Sequence, residues 1–267
     1  VPKQVQGITG AIGLAVGGFH NCALLSDRTV KCWGRNQDGQ VGNADNTTDV
    51  RAPNLPVSGL ASVSAITAGG YHSCPLMPDS TVRCWGRNTR GQLGDGTGSL
   101  YASTPSVVSG MTTAVSVSGG FYHTCALLRD GSVQCWGDND SGQIGNTLAY
   151  SNVPMTVTGI SNALAISAGA YHSCALLADA TVRCWGRNTN GQLGDGATTN
   201  SPSPVLVSGL AAPGFLGAGG IHTCALTGDR SGRCWGWNVY GQLGNGNTID
   251  SPVAVKVTGT GLTWTSS

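Results

Sequence analysis

The triplet Cys-Trp-Gly occurs five times at nearly constant spacing, and this repeat restricts the fold more than any other feature. The triplets begin at Cys32, Cys84, Cys135, Cys184 and Cys234. Successive copies therefore lie about fifty residues apart. Each copy also contains a Gly-rich segment, a His-x-Cys motif and a loop of the Gly-Gln-Leu-Gly type. A repeat of this length with strand-like segments is typical of a β-propeller or a solenoid.

Composition favours strands over helices. The 267 residues include 42 Gly, three Lys and no Glu, whereas Ser, Thr and Val suit short strands joined by tight turns. We therefore expect an all-β protein. The formal net charge is +1 and the Arg are dispersed, which argues against a nucleic-acid partner. No apolar stretch approaches the roughly 18 residues of a membrane span.

The pattern inside one copy predicts four strands. In the fourth copy, strand-like segments fall near residues 166–168, 172–177, 181–185 and 204–207. Four short antiparallel strands make one propeller blade. We therefore expect a single domain over residues 1–267, a β-propeller of five four-stranded repeats. The predicted copies span residues 8–57, 58–108, 109–157, 158–207 and 208–257.

Both ends of the chain carry strand-like segments outside these copies. Residues 1–7 have the pattern of a fourth strand, and residues 261–264, within the terminal segment 258–267, begin a first strand. An unpaired strand edge is a template for association. The two ends would either pair and close a ring, or complete a blade in a neighbouring molecule. A chain that is part of a longer propeller also fits the pattern.

The ten Cys form five pairs with nine intervening residues in each. The predicted disulfides are Cys22–Cys32, Cys74–Cys84, Cys125–Cys135, Cys174–Cys184 and Cys224–Cys234. If the turn at Asp130 has three residues, Cys125 faces Cys135 across two strands, within disulfide reach. Free thiols fit less well because they would not pair so regularly. Zinc sites fit less well because no Cys-x-x-Cys motif is present. Disulfides imply an extracellular, cell-surface or periplasmic location.

His and Asp also recur once per copy. The five His precede the first Cys of each pair by two positions: His20, His72, His123, His172 and His222. We interpret them as scaffold residues that bind a neighbouring backbone group, in preference to a metal or acid–base ring. Five Asp at the hairpin turns are interpreted as turn formers: Asp27, Asp79, Asp130, Asp179 and Asp229.

No motif indicates catalysis or a cofactor. The loops at residues 36–39 and 138–142 resemble parts of calcium sites but lack the Glu that completes them. Without Glu, a pair of catalytic carboxylates would require two loop Asp that no motif places. We expect no metal, no cofactor and no enzymatic activity.

The segment Cys-Trp-Gly-Arg-Asn-x-x-Gly-Gln-Leu-Gly-Asp-Gly, present at residues 84–96 and 184–196, resembles the repeat of the regulator of chromosome condensation family. The resemblance covers nearly the whole chain. It implies a β-propeller whose loops bind other proteins, in a family that includes a nuclear exchange factor and a secreted β-lactamase inhibitor. The Cys pairs favour a secreted, bacterial-type member.

Candidate binding residues lie beside the repeated tryptophans. Alternation along the third strand places Arg35, Arg87 and Arg187 on the same side as the Trp two residues earlier. These Arg are candidate binding residues. In the competing interpretation, their stems cover the Trp rings and add cation–π stability.

Residues that depart from the repeat or vary between copies are further candidates. Trp237 and Tyr240 depart from it, and Tyr101 and Tyr150 lie in variable connections. Aromatic surface of this kind is enriched at protein interfaces and sugar-stacking sites. We therefore predict a non-enzymatic secreted scaffold that binds protein or glycan. The alternative is a subunit of an extracellular fibre or surface layer, a homo-polymer assembled head to tail through the terminal strands. A propeller-type enzyme inhibitor ranks third.

Overall fold

The computed structural model describes residues 3–53 and 55–258, and the regular elements within them are all β-strands. The first blade contains β1 (Ala11–Val16), β2 (His20–Leu25) and β3 (Val30–Gly34). The second contains β4 (Ala65–Ala68), β5 (His72–Leu76), β6 (Arg83–Arg87) and β7 (Tyr101–Val107). The third contains β8 (Ala114–Gly119), β9 (His123–Leu128), β10 (Val133–Asp138) and β11 (Tyr150–Thr156).

The fourth and fifth blades repeat this arrangement. The fourth contains β12 (Ala163–Ala168), β13 (His172–Leu177), β14 (Val182–Gly186) and β15 (Ser201–Leu206). The fifth contains β16 (Pro213–Ala218), β17 (His222–Thr227), β18 (Gly232–Gly236) and β19 (Ser251–Lys256). In each blade the strands pair antiparallel in chain order. The predicted all-β fold of repeated sheets is therefore confirmed.

The first blade differs from the other four at its outer edge. Its sheet has three strands, and an isolated bridge between Gly34 and Val50 stands in place of a fourth. Residues 3–7, the described part of the predicted N-terminal strand, form no strand. The predicted strand at residues 261–264 lies outside the described residues.

The hairpin register follows the sequence prediction. Cys125 pairs directly with Cys135 across β9 and β10. The turn is closed by the Leu128 N–H, which donates to the Ser132 carbonyl oxygen at 2.9 Å. All five disulfides form within their own blades, with Cα atoms 4.0 to 4.3 Å apart. The predicted disulfide pairing is therefore confirmed.

The hydrophobic core lies between blades. Four clusters of buried side chains each join two consecutive blades, and each contains the tryptophan of the later blade. These four residues, Trp85, Trp136, Trp185 and Trp235, have no solvent exposure. No corresponding cluster joins the fifth blade to the first among the described residues. Accordingly, Leu14 and Val16 on β1 are 69% and 76% exposed, and Phe215 on β16 is 66% exposed.

The innermost strands meet around a common axis. Their Gly-rich ends line a central cavity of about 250 Å³ to which all five blades contribute. Glycine is required here because the ring of the repeated His lies against the backbone. A Cβ at Gly120, for example, would lie only 2.1 Å from Cε1 of His123. Repeated Gly and repeated His are therefore two parts of one packing arrangement.

Candidate functional site

Each of the four junctions between consecutive blades contains a buried polar network. The Nε2 of His72 lies 2.8 Å from the Thr124 hydroxyl on the next blade. That hydroxyl donates to the main-chain oxygen of Gln92 at 2.9 Å, and the same oxygen accepts the Trp136 indole N–H at 3.0 Å. The loop that presents Gln92 is fixed by Asn88, whose Oδ1 accepts the Leu93 N–H.

The same network forms at the other three junctions. Its members there are His20, Ser73, Gln40 and Trp85; His123, Ser173, Gln143 and Trp185; and His172, Thr223, Gln192 and Trp235. The scaffold interpretation of the His fits this geometry. The predicted backbone partner was wrong, because Nε2 pairs with a hydroxyl of the next blade.

Burial keeps these histidines neutral. It lowers the pKa of His72, His123 and His172 to about 3, and that of His20 to about 4. Like-charge neighbours contribute a smaller lowering at His72, His123 and His172. A general acid or base acting near neutral pH needs a pKa close to that pH. The His therefore serve packing and hydrogen bonding.

Aromatic rings line one face of the propeller, where each second strand begins and each third strand ends. We call this the upper face. Four of the rings directly precede the repeated His: Phe19, Tyr71, Tyr122 and Tyr171. Phe121 lies among them, with centroids 4.9 to 6.3 Å from those of all four.

Guanidinium groups alternate with these rings. The Arg35 Cζ lies 5.7 Å from the Phe19 centroid and 5.3 Å from that of Tyr71. Arg87 bridges Tyr71 and Tyr122 at 5.3 and 5.6 Å. Arg187 lies 5.6 Å from Tyr171. The result is an aromatic–arginine row across four blades.

The interpretation in which these Arg cover the tryptophan rings was wrong about the ring. They stack on Phe and Tyr, and the Trp of the third strand is turned into the junction between blades. The cause is a β-bulge beside Gly86, whose φ of 107° breaks the alternation between Trp85 and Arg87. Equivalent glycines with positive φ follow the other four Trp.

The third blade places an acid where three other blades have Arg. Asp138 Oδ2 accepts a hydrogen bond from Gln143 Nε2 at 2.7 Å, and Oδ1 lies 3.6 Å from Arg90 Nε. Burial and the nearby Asp140 raise the pKa of Asp138, while Arg90 opposes that rise. A cleft of about 280 Å³ is lined by Arg90, Asp138 and Asp140 together with Arg87, Tyr122 and Tyr171.

The remaining predicted site residues lie at the same end of the molecule. Tyr101 and Tyr150 are 47% and 56% exposed, and they pair across strands with Arg87 and Asp138. Trp237 and Tyr240 form an edge-to-face pair with centroids 5.3 Å apart, and Tyr240 is 82% exposed. Within the described chain, this pair makes no ring contact with the aromatic–arginine row.

Sequence reasoning missed the aromatic half of the row. The available signal was the aromatic residue before the repeated His, which occurs in four copies and is replaced by Ile221 in the fifth.

The described ranges contain no cluster of three or more His, Cys, Asp or Glu arranged for a metal ion. They also contain no helix of the length and hydropathy that a bilayer span requires.

The fold and site define a disulfide-bonded β-propeller with sealed blade junctions and a polar, aromatic upper face. The model of the RCC1-like domain matches residues 1–266. The chain therefore belongs to the RCC1-like domain family, which confirms the resemblance seen in the repeated motif.

Curated relatives match about half of the chain. Protein pim1 of Schizosaccharomyces pombe is 30% identical over 169 residues, which cover 54% of this chain and 31% of pim1. The ultraviolet-B receptor UVR8 of Arabidopsis thaliana is 31% identical over 134 residues, covering 49% and 30%. The human probable E3 ubiquitin-protein ligase HERC6 is 32% identical over 152 residues, covering 54% and 15%. The matches thus span less than a third of these relatives.

Solved structures share the fold. Human WBSCR16 superposes with a TM-score of 0.83 at 22% identity, over 93% of this chain and 67% of that one. Prp20p from Saccharomyces cerevisiae gives 0.73 at 20% identity, over 93% and 77%. The ectodomain of the Physcomitrella patens receptor kinase CR4 gives 0.51 at 25% identity, over 84% and 52%.

Proposed function

We propose that the chain is a non-catalytic scaffold that binds an acidic segment of a partner protein on its upper face. The observation that carries the proposal is the aromatic–arginine row. Stacking holds each guanidinium in a fixed plane, which is the arrangement that favours bidentate contacts with carboxylates. The Phe19 ring, which is 46% exposed, adds apolar area of the kind enriched at interfaces.

Two of the three arginines of the row have no acidic partner within the described chain, whereas Arg35 lies 3.7 Å from Asp38 Oδ2. Arg87 and Arg187 use Nε to donate to Thr89 and Thr189, at 3.0 and 2.9 Å. Neither lies within 4.0 Å of a carboxylate of the described residues. Their terminal nitrogens remain for a ligand. The net charge of only +1 means that attraction for acidic groups is local to this face.

Relatives support a binding role. One solved structure is of yeast RCC1 (Prp20) with Kap60 bound. The other, of Prp20p, is described together with its binding to Gsp1p and histones. UVR8 is a receptor. The five disulfides and the similarity to a receptor-kinase ectodomain support an extracellular or cell-surface location. Trp237, Tyr240, Tyr101 and Tyr150 would extend the binding surface around the row.

A charged polymer tests the proposal. We expect poly-L-glutamate to bind the chain and poly-L-glutamine to bind at least tenfold more weakly, as measured by fluorescence anisotropy at low salt. The double change Arg87→Ala and Arg187→Ala should weaken poly-L-glutamate binding at least tenfold, about 1.4 kcal/mol. Binding should also decline with salt, since the contacts are exposed.

The matched control is Arg83→Ala with Arg183→Ala. Arg83 is at the start of β6, which Arg87 ends, and Arg183 is near the start of β14, which Arg187 directly follows, so the control removes equal charge from another surface. Equal loss in both double variants would mean that net charge alone attracts the polymer. That result would eliminate the upper face as the specific site.

A further inference from the structure

The aromatic–arginine row has a fixed order along the upper face. In each step, the Arg at the end of one blade's third strand, or directly after it, lies between the ring of its own blade and the ring of the next. Arg35 lies 5.7 and 5.3 Å from the first and second ring centroids. Arg87 lies 5.3 and 5.6 Å from the second and third. The order predicts a third cation between the rings of the third and fourth blades, Tyr122 and Tyr171.

The third step of the row lacks that cation. Asp138 stands at the end of the third blade's third strand, where the neighbouring blades have Arg. Arg187 belongs to the fourth blade and stacks on the ring of that blade, Tyr171, at 5.6 Å. Tyr122, Tyr171 and Asp138 all line the cleft of about 280 Å³. At this step, two rings and a carboxylate therefore border one open space.

The Asp138 carboxylate has an oxygen without a hydrogen bond. Its Oδ2 accepts the Gln143 Nε2 donor at 2.7 Å. Its Oδ1 accepts no hydrogen bond within the described chain, although the side chain is only 6% exposed. A buried acceptor that lacks a hydrogen bond is unfavourable, and more so when it carries charge. A cationic donor placed at Oδ1 would remove this cost.

Arg90 approaches this carboxylate from the loop of the second blade. Its Nε lies 3.6 Å from Asp138 Oδ1, which is too far for a hydrogen bond, and its Nη2 lies 3.2 Å from Asp140 Oδ2. The Arg90 side chain is 49% exposed, and none of the cation–π contacts of the described residues involves it. Exposed ion pairs contribute little to stability. Arg90 is thus a weakly held substitute for the cation that the row lacks.

We propose that this cleft binds the guanidinium group of an arginine side chain from the partner protein. The group would lie between Tyr122 and Tyr171, as the arginines of the two preceding steps lie between their rings, and would donate to Asp138 Oδ1 in place of Arg90. A guanidinium fits because its flat face stacks on aromatic rings while its edge donates to a carboxylate. The inference rests on the proposed function for the presence of a partner on the upper face, and it adds one basic residue to the acidic segment.

N-acetyl-L-argininamide is the probe. In a titration of the full chain followed by NMR of labelled tyrosine rings, we expect saturable shifts of the Tyr122 and Tyr171 signals at a stoichiometry of one. The Tyr240 signals, on the fifth blade, should stay unchanged. N-acetyl-L-citrullinamide has the same shape without the charge and should bind at least tenfold more weakly. Equal affinity of the two compounds would overturn the proposal, as would the absence of saturable shifts.

Two further compounds define the ligand class. N-acetyl-L-lysinamide carries the charge without the flat group and should bind at least fivefold more weakly than the arginine probe. Free L-arginine should bind no more tightly than the blocked probe, since the cleft is proposed to recognise a side chain. Equal affinity for the lysine compound, or tighter binding of free arginine, would contradict a site for an arginine side chain of a protein.

Variants of the cleft should act in opposite directions. Asp138→Asn keeps an oxygen for Gln143 and removes the charge, so it should weaken binding of the arginine probe at least tenfold. Arg90→Gln removes the competing cation and should strengthen binding at least twofold. The matched control is Asp130→Asn, which removes an acid from the turn at the other end of the third blade. Equal loss in Asp138→Asn and Asp130→Asn would refute the site, and so would weaker binding to Arg90→Gln.

Poly-L-glutamate separates this inference from the proposed function. Asp138→Asn removes a negative charge from the upper face, so the polymer should bind this variant no more weakly than the unaltered chain. If the polymer binds the unaltered chain and the arginine probe does not, this inference fails and the proposed function stands. If the probe binds and the polymer does not, the proposed function fails and the cleft remains a guanidinium site.

Discussion

At the residue scale, the residues that recur in every repeat belong to the scaffold. His, Cys and Trp recur because each closes a junction or a hairpin, and the sequence was sufficient to predict their structural role. The partner of the His was not predictable, since it lies about fifty residues away on another blade. The prediction that Arg87 and Trp85 point to the same side of the strand was wrong. It assumed strict alternation, which the β-bulge beside Gly86, a residue with positive φ, interrupts.

The neutral histidines predict acid sensitivity. Their folded pKa values of about 3 to 4 lie below the usual 6.5, so the unfolded chain takes up protons first. Stability is complete above pH 6.5 and falls as the pH drops toward 4, by about 1.4 kcal/mol per pH unit for each histidine.

Denaturant unfolding at stepped pH measures this slope. A His72→Asn variant should reduce the pH dependence of the unfolding free energy by about one histidine's share. The expectation concerns the slope, because the variant also changes stability at pH 7. Stability that stays constant between pH 6 and 4.5 would contradict neutral burial of these residues.

At the scale of the element, the hairpin of the second and third strands is the best-defined unit. Cysteine spacing and a three-residue turn at Asp130 together predicted its register, since two residues that face each other fix every other pair. The acid in the turn adds local bonds: Asp130 Oδ1 accepts the Ser132 N–H at 2.9 Å and its hydroxyl at 2.6 Å. The outer strand was less predictable, and the first blade has only the bridge at Val50.

Removing one hairpin disulfide should lower stability without changing the fold. The double change Cys125→Ser and Cys135→Ser opens a small loop, which the chain-entropy model values at about 2 to 3 kcal/mol. Two new buried hydroxyls add to the loss, so Cys125→Ala with Cys135→Ala is the control for the entropic part. Chemical denaturation gives both values, and a loss below about 1 kcal/mol in both variants would be inconsistent with this role.

At the scale of the whole molecule, the period and the strand pattern predicted an all-β propeller of repeated blades. That no core cluster joins the fifth blade to the first among the described residues could not be read from the sequence. Contacts between neighbouring blades depend on packing around Trp85, Trp136, Trp185 and Trp235, which joins residues that are distant in the sequence. Each internal blade is thus covered on both faces, while the described parts of the two end blades are covered on one.

Because the internal blades are covered on both faces and the described parts of the end blades on one, we predict that local stability differs between them. In a repeat array, the stability of each unit depends on its own folding and on its interfaces with neighbours. Backbone amides of β9 and β13, in the third and fourth blades, should exchange with deuterium much more slowly than those of β2 and β17 in the end blades. The ladder bonds and disulfides are alike in all four hairpins, so a difference must come from the interfaces. Equal protection in all four strands would mean that the outer faces of the first and fifth blades are covered in solution.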